Sequence, residues 1–467
     1  MINTFIASLG DALYSYLLIF LLVGGGIYFT LRTKGAQLTL LGEQLRCVRE
    51  KPDSKGGVSS FGALIVSTAS RVGTGNIIGV STAICLGGYG AVFWMWVIAV
   101  IGSASAFIES TLAQIYKRRA PDGSSYGGPA YYIETTIGSR KLATAFSVLL
   151  ILTYGFGFNM LTAYNMQSTF SPYGFYSPTL SPWLIGLLLA GAVFYCLKGG
   201  GERVMKITGW LVPLMGVAYI LVALIVVVLN INALGGVLGR IFKDAFSFSA
   251  VSGGVGGAAV VYGVKRGLFS NEAGVGSAPN ASASASVSHP AKQGLVQVLS
   301  VFIDTLLVCS ATAFMCLCSG LEPDAQLSGA PYVQESLSRV LGVGGPVFIT
   351  VAMFFFGFTT LLGNLYYSDK ALAYLLGRAP EGKAKLLYHV TSVAVIFIGA
   401  GLSADLLWGI ADVTMGLMAL INMPVILYLG KYAFRALADY RRQRRLGVTP
   451  TFRASSIGLP HRVDYWN

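Results

Sequence analysis

Charged residues are scarce in this 467-residue chain. Asp, Glu, Lys and Arg make up 11% of it, against about 25% in an average soluble domain. So few charges could not cover the surfaces of two or three soluble domains, and a hydrophobic content of 54% excludes intrinsic disorder. The remaining class is a polytopic membrane protein. The 58 glycines fit that class, because small residues let membrane helices pack closely.

Cysteine and histidine are also rare. The six cysteines form no CxxC pattern, and we interpret them as small apolar residues rather than disulfide or metal ligands. The three histidines form no cluster, and the chain offers no HExxH motif and no GxSxG motif in the strand–turn–helix context that a nucleophile requires. We therefore expect neither an enzyme active site nor a bound cofactor.

Eleven apolar segments are long enough to cross a membrane, which takes about 20 residues. They cover residues 13–33, 59–87, 89–116, 142–167, 182–198, 207–230, 252–286, 294–320, 346–376, 386–402 and 405–430. Alternate loops hold 26 Lys and Arg residues, whereas the intervening loops hold only Arg240, Lys243 and Arg339. Because basic loops stay on the cytoplasmic side, we expect the N-terminus outside and the C-terminus in the cytoplasm.

The net charge of +13 follows from this loop pattern and does not indicate nucleic-acid binding. The strongest local concentration of charge is in the C-terminal segment, at Arg441, Arg442, Arg444 and Arg445. We expect these side chains to lie against anionic headgroups of the membrane lipid.

Without the first segment, the remaining ten divide into two five-helix halves. The predicted organisation is an accessory helix with a basic loop (1–58), a first repeat (59–230), an extracellular connector (231–251), a second repeat (252–430) and a basic cytoplasmic tail (431–467). Because five is an odd number, the two halves enter the membrane from opposite sides. The repeat is therefore inverted, as in many secondary transporters.

Each half opens with a segment that should interrupt a membrane helix, because Gly and Pro disfavour helix interiors by about 1 and 3 kcal/mol. The first break contains Gly73, Thr74, Gly75 and Asn76, and the second contains Ser270, Asn271, Gly274, Gly276 and Ser277. Corresponding breaks predict a transporter binding site. Free helix N-termini suit a carboxylate, and freed carbonyls and hydroxyls suit a small cation. The alternative is that these glycines only permit close packing.

Residues 87–102 read GGYGAVFWMWVIAVIG, which resembles the signature of the alanine or glycine:cation symporters, also called the sodium:alanine symporter family. VGTGN at 72–76, GGPAYY at 127–132 and the run from Gly267 to Gly294 resemble it too. The resemblance covers residues 60 to 430. It implies a leucine-transporter-type fold, here with one extra N-terminal helix, and import of alanine or glycine, sometimes glutamine, with sodium or occasionally protons.

The resemblance also implies ion ligands. In the resembling fold, paired hydroxyls on the eighth repeat helix complete a sodium shell with carbonyls of the first broken helix. Here these roles fall to Thr359 and Thr360 and to the carbonyls of Ala69 and Val72. The alternative is that both hydroxyls bond within their own helix. The amide of Gln167 either closes over the substrate or caps a helix end.

These features predict a sodium-coupled importer of alanine or glycine, acting as a monomer in the plasma membrane of a bacterium or archaeon. Glutamine or a D-amino acid as substrate, and the proton as coupling ion, stay open. A channel or sensor on a transporter scaffold is the more distant alternative. Arg71, next to the first break, is expected to pair with Glu109, Glu272 or Asp304, or to attract the substrate carboxylate.

Overall fold

A computed structural model describes residues 6, 8–10, 12–54, 57–121, 123–247, 257–459 and 463–466. Within these residues the chain is almost entirely helical, and its regular strands are β1 (Arg118–Arg119) and β2 (Ser125–Tyr126), which form one antiparallel hairpin. Eight of the described helices are long and apolar enough to cross a membrane. The protein is therefore a multi-pass membrane protein.

The helices are numbered along the chain. Those before residue 250 are α1 (13–32), α2 (Ala36–Thr39), α3 (Leu41–Arg49), α4 (Ser60–Arg71), α5 (Gly75–Gly87), α6 (Gly90–Ile115), α7 (Pro129–Ile137), α8 (Arg140–Ser168), α9 (Ser181–Lys198), α10 (Gly200–Leu229) and α11 (Ile231–Ala245). Those after it are α12 (Ala258–Asn271), α13 (Pro279–Ser282), α14 (Pro290–Leu317), α15 (Ala330–Leu341), α16 (Gly344–Leu376), α17 (Gly382–Ala400) and α18 (Ala404–Arg445).

Several predicted boundaries change. Segment 13–33 corresponds to α1 (13–32), whereas segments 59–87 and 252–286 are each divided into shorter helices. The count of eleven crossings stays a prediction. Residues 252–256 lie outside the described part of the chain. The connector 231–251 contains α11. Helix α18 does not end near residue 430; it is 42 residues long and ends at Arg445.

The two sets of loops lie at opposite ends of the molecule. One cavity is lined by Gly10 before α1, by Ser171 and Ser328 in two connections, and by Asp405 in the first turn of α18. The connections at this end are poor in Lys and Arg. This end is called the vestibule end. Basic connections meet at the other end, called the basic end, where Lys292 binds Glu50 at 2.6 Å. This grouping agrees with the alternation of basic and non-basic loops along the sequence. Which end faces the cytoplasm stays a prediction.

The segment after α18 packs against the protein at the basic end. The indole Nε1 of Trp466 donates to the Gln114 carbonyl at 2.7 Å, and the Arg119 N–H donates to Asp464 at 2.7 Å. Lys117 Nζ lies 3.8 Å from the ring centroid of Tyr465. The tail therefore covers the end of α6 and the strand hairpin, an arrangement that the prediction of a basic tail over residues 431–467 did not include.

Candidate functional site

The first break is short. Helix α4 ends at Arg71, and the chain becomes helical again at Gly75 in π geometry. The side chain of Asn76 closes the gap, because its Oδ1 accepts from the Gly73 N–H at 2.8 Å and its Nδ2 donates to Asp304 Oδ1 at 2.7 Å. These hydrogen bonds of Asn76 therefore hold the conformation of the break.

The second break reverses the chain between α12 and α13. Glu272, Gly274 and Gly276 have φ angles of 53°, 85° and 92°, a left-handed conformation that favours glycine. The Ser277 hydroxyl donates to the Glu272 carboxylate at 2.6 Å and supports the turn. Asn271 Oδ1 accepts from the Ala273 N–H at 3.1 Å, whereas its Nδ2 has no partner among the described residues.

A buried carboxylate joins the two broken helices. Asp304, in the π-helical part of α14, accepts from Asn76 Nδ2 at 2.7 Å, from Ser270 Oγ at 2.8 Å and from Thr305 Oγ1 at 2.7 Å. Sequence reasoning considered Asp304 only as a partner of Arg71. The available signal was an acidic residue within an apolar span, where a charge is costly and is often functional.

Helix α16 lies directly against the first break. The Thr360 hydroxyl donates to the Ala69 carbonyl at 3.3 Å, and a Cβ added at Gly73 would overlap Thr360 Oγ1. Thr359 instead donates to the carbonyls of Phe355 and Phe356 in its own helix, at 3.2 and 3.0 Å. The structure therefore brings Thr360 and Ala69 together, next to Val72 at the end of α4, and gives the two threonines different partners.

The amides of α8 approach from the vestibule end. Asn165 Nδ2 donates to Thr74 Oγ1 at 3.1 Å, and Gln167 Oε1 accepts from the Tyr176 hydroxyl at 2.7 Å. Asn165, Gln167 and Tyr176 all line the vestibule cavity. Asn165 therefore contacts the first break, although sequence reasoning singled out Gln167. The available signal was a second polar residue at the same helix end.

Aromatic rings lie over the first break. The Phe269 ring centroid is 4.7 Å from that of Phe158 and 4.8 Å from that of Trp408. A Cβ added at Gly75 would lie 3.0 Å from Phe269 Cδ1. The side chain of Phe269 therefore covers the start of α5 and limits the space beside it.

An ion pair lies next to these rings in the vestibule, a cavity of about 900 Å³. Arg266 reaches both carboxylate oxygens of Asp412, at 3.3 and 3.1 Å, and lies 4.0 Å from the Trp408 ring centroid. Lys265 adds a second contact to Asp412 at 3.1 Å. The pair and the aromatic rings together separate the breaks from the open cavity.

Arg71 does not form the expected ion pair. Its Nη1 donates to Gln297 Oε1 at 3.2 Å, while its Nε and Nη2 have no partner among the described residues. Its positive charge still acts electrostatically on the carboxylates of Glu109, Glu272 and Asp304. Arg71 therefore offsets part of the negative charge buried around the two breaks.

A sequence profile described as the sodium:alanine symporter family matches residues 1–454. The amino-acid carrier protein AlsT of Bacillus subtilis (strain 168) is 41% identical over 466 residues, which are 99% of this chain and 97% of AlsT. The probable sodium/glutamine symporter GlnT of the same organism is 43% identical over 458 residues, which are 98% of this chain and 94% of GlnT.

The fold is also similar to solved structures. The structure of MhsT in complex with L-phenylalanine has a leucine-transporter-like fold. It matches this chain with a TM-score of 0.59 at 16% sequence identity, and the match covers 84% of this chain and 93% of MhsT. The family and these relatives are transporters, so the chain is a transporter and not an enzyme, and the names of the family and of GlnT give sodium as their coupling ion. On this evidence, the chain belongs to the sodium:alanine symporter family.

Proposed function

We propose that the protein imports a small neutral amino acid, alanine or glycine in preference to glutamine, together with sodium. The observation that supports this substrate class is the close approach of Phe269 to Gly75. A Cβ added at Gly75 would lie 3.0 Å from Phe269 Cδ1. A large substrate side chain at the start of α5 would have to displace this ring and its neighbours Phe158 and Trp408.

The substrate carboxylate would bind at the start of α5. The first N–H groups of a helix have no partner within the helix and carry the positive end of its dipole. Thr74 and Gly75 supply such N–H groups, and Asn165 holds the Thr74 side chain at 3.1 Å. The substrate amino group would face the oxygen atoms of the second break, near Ser270 and Asp304.

Two groups of oxygen atoms next to the breaks are candidates for the cation. One contains the Ala69 carbonyl and the Thr360 hydroxyl, whose O–H would turn away so that both oxygens face sodium, with the Val72 carbonyl beside them. The other surrounds the Asp304 carboxylate, which would balance the ionic charge. Both groups contact the broken helices that would also bind the substrate. Binding of the ion would therefore order the segments that bind the substrate.

The difference between the two ends supports alternating access. The vestibule end holds the large cavity, whereas at the other side of the breaks Asn422 binds the Tyr132 hydroxyl, Glu109 at 2.9 Å and the Gly274 carbonyl at 2.9 Å. Opening toward the basic end would break these bonds. Each sodium ion moved inward releases about 2.3 kcal/mol per 100 mV, enough for roughly fifty-fold accumulation of substrate.

The test is uptake by proteoliposomes that contain the purified protein. Labelled alanine, glycine, D-alanine and glutamine are each supplied with an inward sodium gradient, with choline in its place, and with an imposed proton gradient. We expect sodium-dependent, saturable uptake of alanine or glycine, with counterflow as evidence for a carrier. Uptake driven only by the proton gradient would reject sodium coupling, and faster uptake of glutamine would reject the substrate assignment.

A further inference from the structure

A groove at the basic end lies between the end of α1 and the last turns of α18. Its volume is about 580 Å³. Its cationic side chains are Arg32, Lys34, Arg441, Arg442 and Arg445. Its apolar wall is formed by Phe434, Leu437 and Leu446. This set of residues is called the basic groove.

The positive charge of the basic groove is only partly balanced. Arg442 binds Asp439 at 2.6 Å, but no acidic side chain in the described part of the chain pairs with Arg441 or Arg445. These two arginines are four residues apart, so they share one face of α18 and repel each other. A bound anion would relieve this repulsion.

The basic groove lies where the apolar surface of the protein ends. Leu31, directly before Arg32, is 71% exposed, and Tyr428 on α18 is 64% exposed. Exposed apolar side chains of this kind face lipid in a multi-pass membrane protein. The cations that follow them along α1 and α18 therefore lie at the level of the lipid headgroups.

We propose that the basic groove binds one anionic phospholipid from the leaflet that meets the basic end. Arg441, Arg445 and Lys34 would hold the phosphate, since a guanidinium matches phosphate oxygens with two parallel hydrogen bonds. An acyl chain would lie along Phe434, whose ring centroid is 4.9 Å from the Arg32 guanidinium. A free phosphate would use only the cations, whereas a lipid matches both the cations and the apolar wall.

Such a lipid would connect α1 to the far end of α18, and occupancy should raise the thermal stability of the protein. The experiment measures the apparent melting temperature of the purified protein in detergent micelles while phosphatidylglycerol replaces phosphatidylcholine. We compare the wild type with the double variant Arg441→Gln/Arg445→Gln. The matched control is Lys383→Gln/Lys385→Gln, which removes the same charge from exposed positions of α17.

We expect phosphatidylglycerol to stabilise the wild type and the control equally. In the arginine variant the phosphatidylglycerol concentration for half of the effect should rise by roughly 30-fold, the effect of two cations near an anionic surface. Arg441→Lys/Arg445→Lys keeps both positive charges but not the paired hydrogen bonds, so its response should lie between those of the wild type and the glutamine variant. That variant, together with an unchanged melting temperature in phosphatidylcholine alone, separates loss of the site from misfolding.

Three results would overturn the proposal. The first is equal stabilisation of the wild type by the two lipids. The second is equal loss of the response in the lysine control, which would make the effect one of net charge alone. The third is the same stabilisation by inorganic phosphate at the same concentration, which would make the groove a site for a soluble anion.

Discussion

At the scale of single residues, two neighbouring threonines on α16 differ in what their hydroxyl groups bind. Thr360 reaches across to the Ala69 carbonyl of the first broken helix at 3.3 Å. Thr359 bonds back to its own helix, which is the common behaviour of threonine in membrane helices. Adjacent positions with the same side chain therefore provide an internal comparison for the proposed ion site.

Thr360→Val removes the hydroxyl and keeps the shape of the side chain. We expect the sodium concentration that half-saturates uptake to rise by about tenfold or more, because a hydrogen-bonding group facing a charge contributes about 1.5–3 kcal/mol. The order of preference among amino acids should not change. The measurement is alanine uptake against sodium concentration.

Thr359→Val is the control for this substitution, and it should leave the sodium requirement within about twofold of the wild type, because its hydroxyl is satisfied within α16. If both variants changed the sodium requirement equally, or if Thr360→Val changed nothing, Thr360 would not be an ion ligand.

At the scale of elements, the second break is a turn that depends on glycine. At Gly274, φ is 85°, and an added Cβ would lie 2.6 Å from Met423 Sδ. Some helical glycines have free space, as at Gly209 on α10, where nothing lies within 4 Å of an added Cβ. The same residue type therefore has two different roles, and only the turn needs the glycine conformation.

We expect Gly274→Ala to lower the apparent melting temperature and to abolish uptake. The left-handed conformation alone costs an alanine about 1–2 kcal/mol, and the contact with Met423 adds to it. Gly209→Ala should leave the melting temperature unchanged or slightly raised, since Ala is favoured over Gly in a helix. A melting curve of Gly274→Ala like that of the wild type would show that the turn tolerates a side chain.

Sequence reasoning was most successful where local chemistry decides the structure. Gly and Pro disfavour a helix wherever they occur, so both breaks were predicted, although the first reduces to residues 72–74. Asp304 was not assigned to the site, because its partner Asn76 is 228 residues away along the chain. The continuation of α18 to Arg445 was missed because hydropathy marks only the part of a helix that lies in lipid.

At the scale of the whole molecule, a buried histidine joins three parts of the basic end. His289 Nδ1 accepts from the Ala291 N–H at 3.1 Å and caps α14, while its Nε2 faces Asp439 of α18 at 3.4 Å. Its ring centroid is 5.2 Å from that of Phe452 in the tail. Burial lowers the pKa of His289 below its ordinary value, against the opposing influence of Asp439.

This lowered pKa predicts a loss of stability in acid. Below about pH 6.5, the ordinary pKa of histidine, the unfolded chain binds a proton that the folded His289 does not take up until a lower pH. The free energy of unfolding therefore falls as the pH is lowered through this window. His289→Asn keeps an N-cap acceptor but does not titrate.

The measurement is the melting temperature of both proteins between pH 7.5 and 5.5. The wild type should lose more stability than His289→Asn across this range. Parallel curves for the two proteins would assign the acid sensitivity to other groups.

The contacts of the tail also have a consequence for the order of events during biosynthesis. Arg119 is bonded to Asp464, 345 residues later in the chain. At roughly 5–20 residues per second, synthesis of the intervening chain takes roughly 20–70 s. During that time the hairpin of β1 and β2 and the end of α6 lack the side chains that cover them. The tail can therefore cover this end of the transporter only after every span has been synthesised, as one of the last steps of assembly.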